Sequence, residues 1–143
     1  MLAVDTNVLV YAHKQGVPLH ARAKAALAEL AGSSAAWAIP WACLQEFYAV
    51  VTHPRLYAPP SSPAQALAQI EAWVAAPSVR LLAEAHDHLA RLGSLLSALP
   101  IVGSQIYDAK IAAICLSHGV RELLTLDRDF SRYPALRTRS LIA

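Results

Sequence analysis

The first twelve residues, Met1-Leu2-Ala3-Val4-Asp5-Thr6-Asn7-Val8-Leu9-Val10-Tyr11-Ala12, constrain this chain more than any other stretch. A short apolar run meets one carboxylate and then resumes with apolar residues at helical spacing, which reads as strand, tight turn and helix. Asp5 would then stand at the carboxyl end of a buried strand. In open α/β sheets the strand ends form the crevice where ligands bind, so an acid there is placed for chemistry. Asp5, Thr6 and Asn7 are also good helix N-caps, and on this stretch alone a cap and a ligand are equally served.

The rest of the chain repeats the alternation. The first helix, opened by Thr6 or Asn7, runs to about His13, and Gly16 and Pro18 close it. A second amphipathic helix over 20–30 carries Ala23, Ala26, Leu27 and Leu30 on one stripe and ends at Gly32. An apolar strand over 36–39 is stopped by Pro40, and a helix follows over about 42–52. The loop from His53 to Pro60 gives way to Ser62-Pro63-Ala64-Gln65, which supplies N-cap, first-turn proline and capping-box glutamine for a helix to about Ala75. A third strand over 79–82, a helix over 85–96, a helix over 106–118 capped by Ser104, a fourth strand over 123–125 and a short edge strand over 140–142 complete the outline. Strands separated by helices call for a mainly parallel sheet with helices on both faces.

A chain of 143 residues is expected to form one domain, 1–143, that buries a core without disulfides or structural metal. Cys43 and Cys115 lie in apolar helical patterns without a CxxC partner and read as buried free thiols. Hydrophobic residues reach 56% and charged residues only 15%, so part of the apolar surplus is expected on faces that a partner covers. No apolar run approaches the roughly 18 residues of a membrane span, and the start of the chain lacks a signal-peptide pattern; a soluble, cytoplasmic protein is expected. A net charge of +2 permits nucleic-acid binding without demanding it.

Of the ten acids, Glu29, Glu71, Glu84, Asp87 and Glu122 fall on polar faces or loops. The other five stand where the outline can bring them together. Asp5 follows the first strand, and Glu46 lies near the apolar stripe of the helix after the second. Asp108 occupies the first turns of the helix before the fourth strand, which Asp127 and Asp129 follow. Carboxylates crowded into a small volume raise one another's pKa unless cations neutralise them, and such a cluster suits Mg²⁺ or Mn²⁺. The six histidines make no close pair on one helix face, so no zinc site is expected. Nucleophile-elbow, P-loop, dinucleotide and zinc-protease motifs are all missing.

Asp5-Thr6-Asn7, the isolated Glu46, Tyr107-Asp108-Ala109-Lys110-Ile111-Ala112-Ala113 and Leu124-Thr125-Leu126-Asp127-Arg128-Asp129-Phe130 together resemble a PIN domain. More narrowly they are similar to the VapC-type ribonuclease toxins of prokaryotic toxin–antitoxin pairs. The likeness spans nearly the whole chain. It implies a three-layer α/β/α fold with a central, mainly parallel sheet of four to five strands. It matches Asp5, Glu46 and Asp108 to three recurrent acidic positions and Asp127 to the fourth, with Asp129 as a further ligand. Thr6 and Asn7 would orient the first carboxylate, and Thr125 would stand near the fourth.

The implied activity is a Mg²⁺-dependent endoribonuclease, with Mn²⁺ able to substitute, in which water activated by the cation attacks phosphorus in line. Transfer RNA or ribosomal RNA would be the substrate, a VapB-like antitoxin the partner, and a homodimer the assembly. Lys14, Arg55, Arg91, Lys110, Arg128 and Arg132 border the crevice and are the candidate RNA contacts. Trp37, Trp41 and Trp73 read as core or interface positions. Two alternatives remain: a PIN-fold nuclease of RNA processing or decay outside toxin–antitoxin pairs, and an inactive scaffold that binds RNA or protein.

Overall fold

The computed structural model describes residues 1–142. The opening run forms β1 (Leu2–Val4), and it becomes the middle of the sheet. β2 (Trp37–Pro40) and β3 (Val79–Leu82) add on one side; β4 (Glu122–Leu124) and β5 (Arg137–Arg139) add on the other. The order is β3-β2-β1-β4-β5, and every neighbouring pair is parallel. Ala3, Val4, Ala38, Ile39 and Leu123 are fully buried, which is why these strands read as unbroken apolar runs and not as alternating ones.

Six helices connect the strands among the described residues: α1 (Thr6–His13), α2 (His20–Gly32), α3 (Trp41–Val51), α4 (Pro63–Val74), α5 (His88–Ala98) and α6 (Ile106–Ser117). Right-handed crossovers put α1 to α4 on one face, while the reversed step from β3 back to β4 puts α5 and α6 on the other. The expected three-layer α/β/α arrangement is therefore present, with five strands. The strand order reverses between β1 and β4. Chains leaving these two strands diverge there, so a crevice opens at their carboxyl ends. A helix that precedes a parallel strand runs against it, which brings the first turn of α6 to the same edge.

Local chemistry explains the elements. Ser62 caps α4 through the amide of Gln65 at 3.1 Å, and the Gln65 side chain accepts from the Ser62 amide at 2.9 Å, the reciprocal box read from the sequence. Phe47 of α3 is fully buried and meets His13 and Trp73 edge-on, with ring centroids 5.2 and 4.9 Å away. Trp37 is buried, and its indole N–H donates to Ser78 Oγ at 2.9 Å. Cys43 and Cys115 are buried free thiols. Among the described residues no helix is long and apolar enough to cross a membrane.

Three expectations need correction. The edge strand is not 140–142 but Arg137–Arg139. The Arg137 amide donates to Arg121 O, the Thr125 amide to Arg139 O, and Arg139 pairs with Glu122 at 2.7 Å, so charged side chains hold an exposed edge where no apolar pattern could signal a strand. α5 starts at His88, after a turn over 86–87, and its Leu89 is 82% exposed instead of joining Leu92, Leu95 and Leu96 against the core. Ser104 caps nothing: Gly103–Gln105 form a 3₁₀ turn that runs straight into α6. Trp41, in the first turn of α3, is 40% exposed, so of the two readings, core and interface, only the second is left to it.

Candidate active site

The crevice at the β1/β4 divide is a cavity of about 240 Å³ whose lining includes Asp5, Thr6, Asn7, Glu46, Asp108 and Asp127. Four carboxylates from across the chain thus meet in one place. Asp5 extends β1, and its amide donates to Leu124 O at 3.0 Å, which locks the strand end to β4. Its side chain is buried and well held: Oδ1 accepts from the Thr6 amide at 2.8 Å and from Cys43 Sγ at 3.7 Å, and Oδ2 accepts from Thr125 Oγ1 at 2.7 Å. Asp5 is therefore both the N-cap of α1 and a wall of the cavity, so the two roles open in the sequence coexist.

Thr125 organises the β4 side. Its hydroxyl donates to Asp5 and accepts from the Asp127 amide at 3.0 Å and from Asn7 Nδ2 at 3.4 Å, which uses its one proton and both lone pairs. Asn7 Oδ1 accepts from the Leu126 amide at 3.3 Å, and Asp127 Oδ1 from the Asp129 amide at 2.9 Å. Thr6 Oγ1 donates to Glu46 Oε2 at 3.2 Å. Glu46 departs from its expected place near the buried stripe: it is exposed on the rim of the cavity, one turn beyond the buried Cys43.

Burial raises the pKa of Asp5, and the neighbouring charges of Glu46 and Asp127 add to the rise against the bonds from Thr125 and Thr6. Asp108 is pushed up to about 6, first by burial and then by Asp127, Asp5, Glu46 and Asp129. Asp108, Asp127 and Asp129 each offer an oxygen, and these atoms lie within 4.8 Å of one another. An all-carboxylate set of mutually repelling oxygens fits a hard divalent cation, and Mg²⁺ and Mn²⁺ are such ions. Asp129 is exposed and only loosely tied to Arg132 at 4.0 Å.

The six candidate cations scatter around this cavity. Lys14 borders a groove next to it, Lys110 lines a neighbouring cavity shared with Glu46 and Asp108, and Arg128 lines another shared with Asp127. Lys110 is paired with Glu84 at 3.7 Å. Arg91 is held by Asp87 at 3.4 Å on α5, and Arg55 is exposed in the loop after α3; neither lines these four cavities. Sequence reasoning missed Tyr57, a wall of the acid cavity that comes from a proline-rich loop without periodicity. It also missed the contact of Cys43 with Asp5, whose only signal was a thiol one helical turn before Glu46.

Residues 2–136 match the PIN domain family. The chain is 36% identical over 139 residues to VapC ribonuclease Mb2897 of Mycobacterium bovis, covering 97% of this chain and 94% of that one. It is 30% identical over 136 residues to ribonuclease VapC48 of Mycobacterium tuberculosis, covering 94% and 93%. Among solved structures, VapBC2 of Rickettsia felis, bound to a DNA fragment from its promoter, superposes with a TM-score of 0.71 at 20% identity over 97% of each chain. Mycobacterium tuberculosis VapC20, a toxin that cleaves the sarcin–ricin loop, gives 0.68 at 18% over 92% and 93%. At those identities the two structures speak for the fold.

Proposed function

This chain belongs to the PIN-domain family of VapC ribonucleases, and from that membership we propose that it is a single-domain, divalent-metal-dependent endoribonuclease, the toxin of a toxin–antitoxin pair. The observation that carries the reading is the convergence of Asp5, Glu46, Asp108 and Asp127 on one cavity at the point where the strand order reverses. An unused cluster of this kind would only store repulsion.

Asp5, Asp108 and Asp127 would hold the cation, with Glu46 reaching it directly or through water and Asp129 adding an outer ligand beside Asp108 and Asp127. A bound Mg²⁺ or Mn²⁺ would supply charge neutralisation at the phosphate and lower the pKa of the attacking water toward neutrality. The chain's own groups do the positioning. Thr125 and the Thr6 amide fix the Asp5 carboxylate in one orientation, and Asn7 braces the turn that presents Asp127. Thr6 engages Oε2 of Glu46, which leaves Oε1 to take the proton released by the attacking water. No side chain need act as nucleophile.

The proposed partners follow from the surface. Val102, just before α6, and Ile106 and Tyr107 in its first turn are 71%, 38% and 65% exposed, apolar area that suits a cognate antitoxin or a second copy. VapC20 is a toxin that cleaves the sarcin–ricin loop, and structured RNA, transfer or ribosomal, is the proposed substrate class here. The test is cleavage of total RNA by the purified protein with Mg²⁺, with Mn²⁺ and with chelator, with new RNA ends sequenced. Discrete metal-dependent ends that Asp108→Asn abolishes are expected. Equal cleavage by wild type and Asp108→Asn would remove the reading.

A further inference from the structure

Beside the acid cavity lies a groove of about 790 Å³, and the ring of Tyr57 is the wall between the two. α1, the loop after α3 and α4 build it, and its lining includes His13, Lys14, Gln65 and Gln69 but no carboxylate. This is a sharp change of character across one side chain: four acids on one side, a cation and amides on the other.

Lys14 has no ion-pair partner among the described residues. Its ammonium lies 4.8 Å from the centre of the Tyr57 ring and 3.5 Å from Pro59 O, two neighbours that attract it weakly without neutralising it. By contrast Lys110 and Arg132, which also stand near the acids, are each paired with a carboxylate. The groove floor is held rigid. His13 Nδ1 meets Gln69 Oε1 at 3.1 Å and Nε2 meets Ser61 Oγ at 2.9 Å. A carbonyl oxygen only accepts, so Nδ1 carries the proton and Nε2 accepts from the serine. With Gln69 Oε1 so engaged and Gln65 Oε1 taken by the Ser62 amide, both glutamines keep their NH₂ groups for a ligand.

We propose that this groove seats a nucleotide flanking the scissile phosphate, with Lys14 on its phosphate, Tyr57 against its base or ribose, and the glutamine amides on the base edge. The inference rests on the ribonuclease reading and deepens it by naming where the flanking sequence is read. The size suits one nucleotide, since small-ligand sites run from about 300 to 1,000 Å³. The chemistry suits it too. A strand drawn across the acid cavity next meets an uncompensated cation and an aromatic side chain, the pair that binds single-stranded nucleic acid, and then amides able to discriminate bases.

The test is steady-state cleavage, with Mn²⁺, of an RNA library randomised on both sides of a mapped cut site, using wild type, Lys14→Met and Tyr57→Leu. Each variant should raise KM about tenfold and flatten the preference at one flanking position, and Lys14→Met, which does not line the acid cavity, should do so with little change in kcat. Binding of a fluorescein-labelled oligoribonucleotide, followed by anisotropy in an Asp108→Asn background, gives a readout independent of cleavage, and Lys14→Met should weaken it about tenfold. Lys14→Met is partly exposed and keeps the test valid if Tyr57→Leu lowers stability. Wild-type KM, preference and RNA affinity in Lys14→Met would overturn the proposal. A wild-type protein that cuts no RNA, yet binds it in a Lys14-dependent way, would overturn the nuclease reading and leave the groove standing.

Discussion

Thr125 Oγ1 donates to Asp5 Oδ2 at 2.7 Å, and this bond joins the Asp5 amide on Leu124 O in tying the ends of β1 and β4 together across a separation of 120 residues. Thr125→Val keeps the shape but strands a buried carboxylate oxygen and the Asp127 amide. We expect a stability loss of about 1–3 kcal/mol in urea denaturation and at least a tenfold fall in RNA cleavage, with Thr125→Ser restoring most of both. A valine variant with wild-type activity would show that the bond is not needed to orient Asp5.

Asp108→Asn should abolish cleavage and the Mn²⁺ heat seen by calorimetry, while raising the melting temperature of metal-free protein. The sign follows from the raised pKa of Asp108, about 6, against an ordinary value of 3.8. A raised carboxyl pKa means that the fold disfavours the charged form. The contribution of Asp108 to metal-free stability is therefore full below about pH 4 and lost as pH climbs through about 6. Asn removes that slope. With Mn²⁺ present the dependence should invert, because the cation favours the ionised form and stabilises more as pH rises. Thermal melts between these pH values, with and without Mn²⁺, check both signs.

Asp127→Asn should cost more activity than Asp129→Asn. Asp127 lines the acid cavity and its Oδ1 anchors the Asp129 amide, whereas Asp129 is exposed and replaceable by water. Losses of more than a hundredfold for the first and roughly tenfold for the second are expected in initial-rate assays, on the scale set for outer and direct ligands. The opposite ranking would move the main cation contact to Asp129.

Phe47→Ala should destabilise by about 3–5 kcal/mol, because a fully buried ring that supports both His13 and Trp73 is removed. Glu46 precedes Phe47 on α3, so surviving folded protein should also need more Mn²⁺ for half-maximal cleavage. Guanidinium denaturation and a metal titration measure the two effects separately.

Much of this architecture was legible from residue order. Asp5 and Asp127 sit at strand ends because an apolar run followed by an acid is what a buried parallel strand leaves behind, and Asp108 reaches the same edge because a helix before a parallel strand must start there. What escaped had no period to read. Arg137-Thr138-Arg139 is a strand through backbone bonds and a pair with Glu122, not through apolar residues. Tyr57 enters the site from a loop of prolines. Leu89 obeys the helical stripe and yet faces water, since spacing says which residues share a face and not whether that face has a neighbour. Glu46 was read as close to the core; it rests on the rim, where Thr6 reaches it.

β1 has a neighbour on each side, so the acid cavity is finished only when both flanks are in place. Asp5 and Glu46 belong with the β1–β2 half, whereas Thr125 and Asp127 arrive with β4. A copy cut short before Glu122 would hold half a cage and neither Thr125 nor Asp127 to finish it. Under the proposed function such a fragment should leave RNA intact, which ties any hydrolytic power to the far side of the sheet.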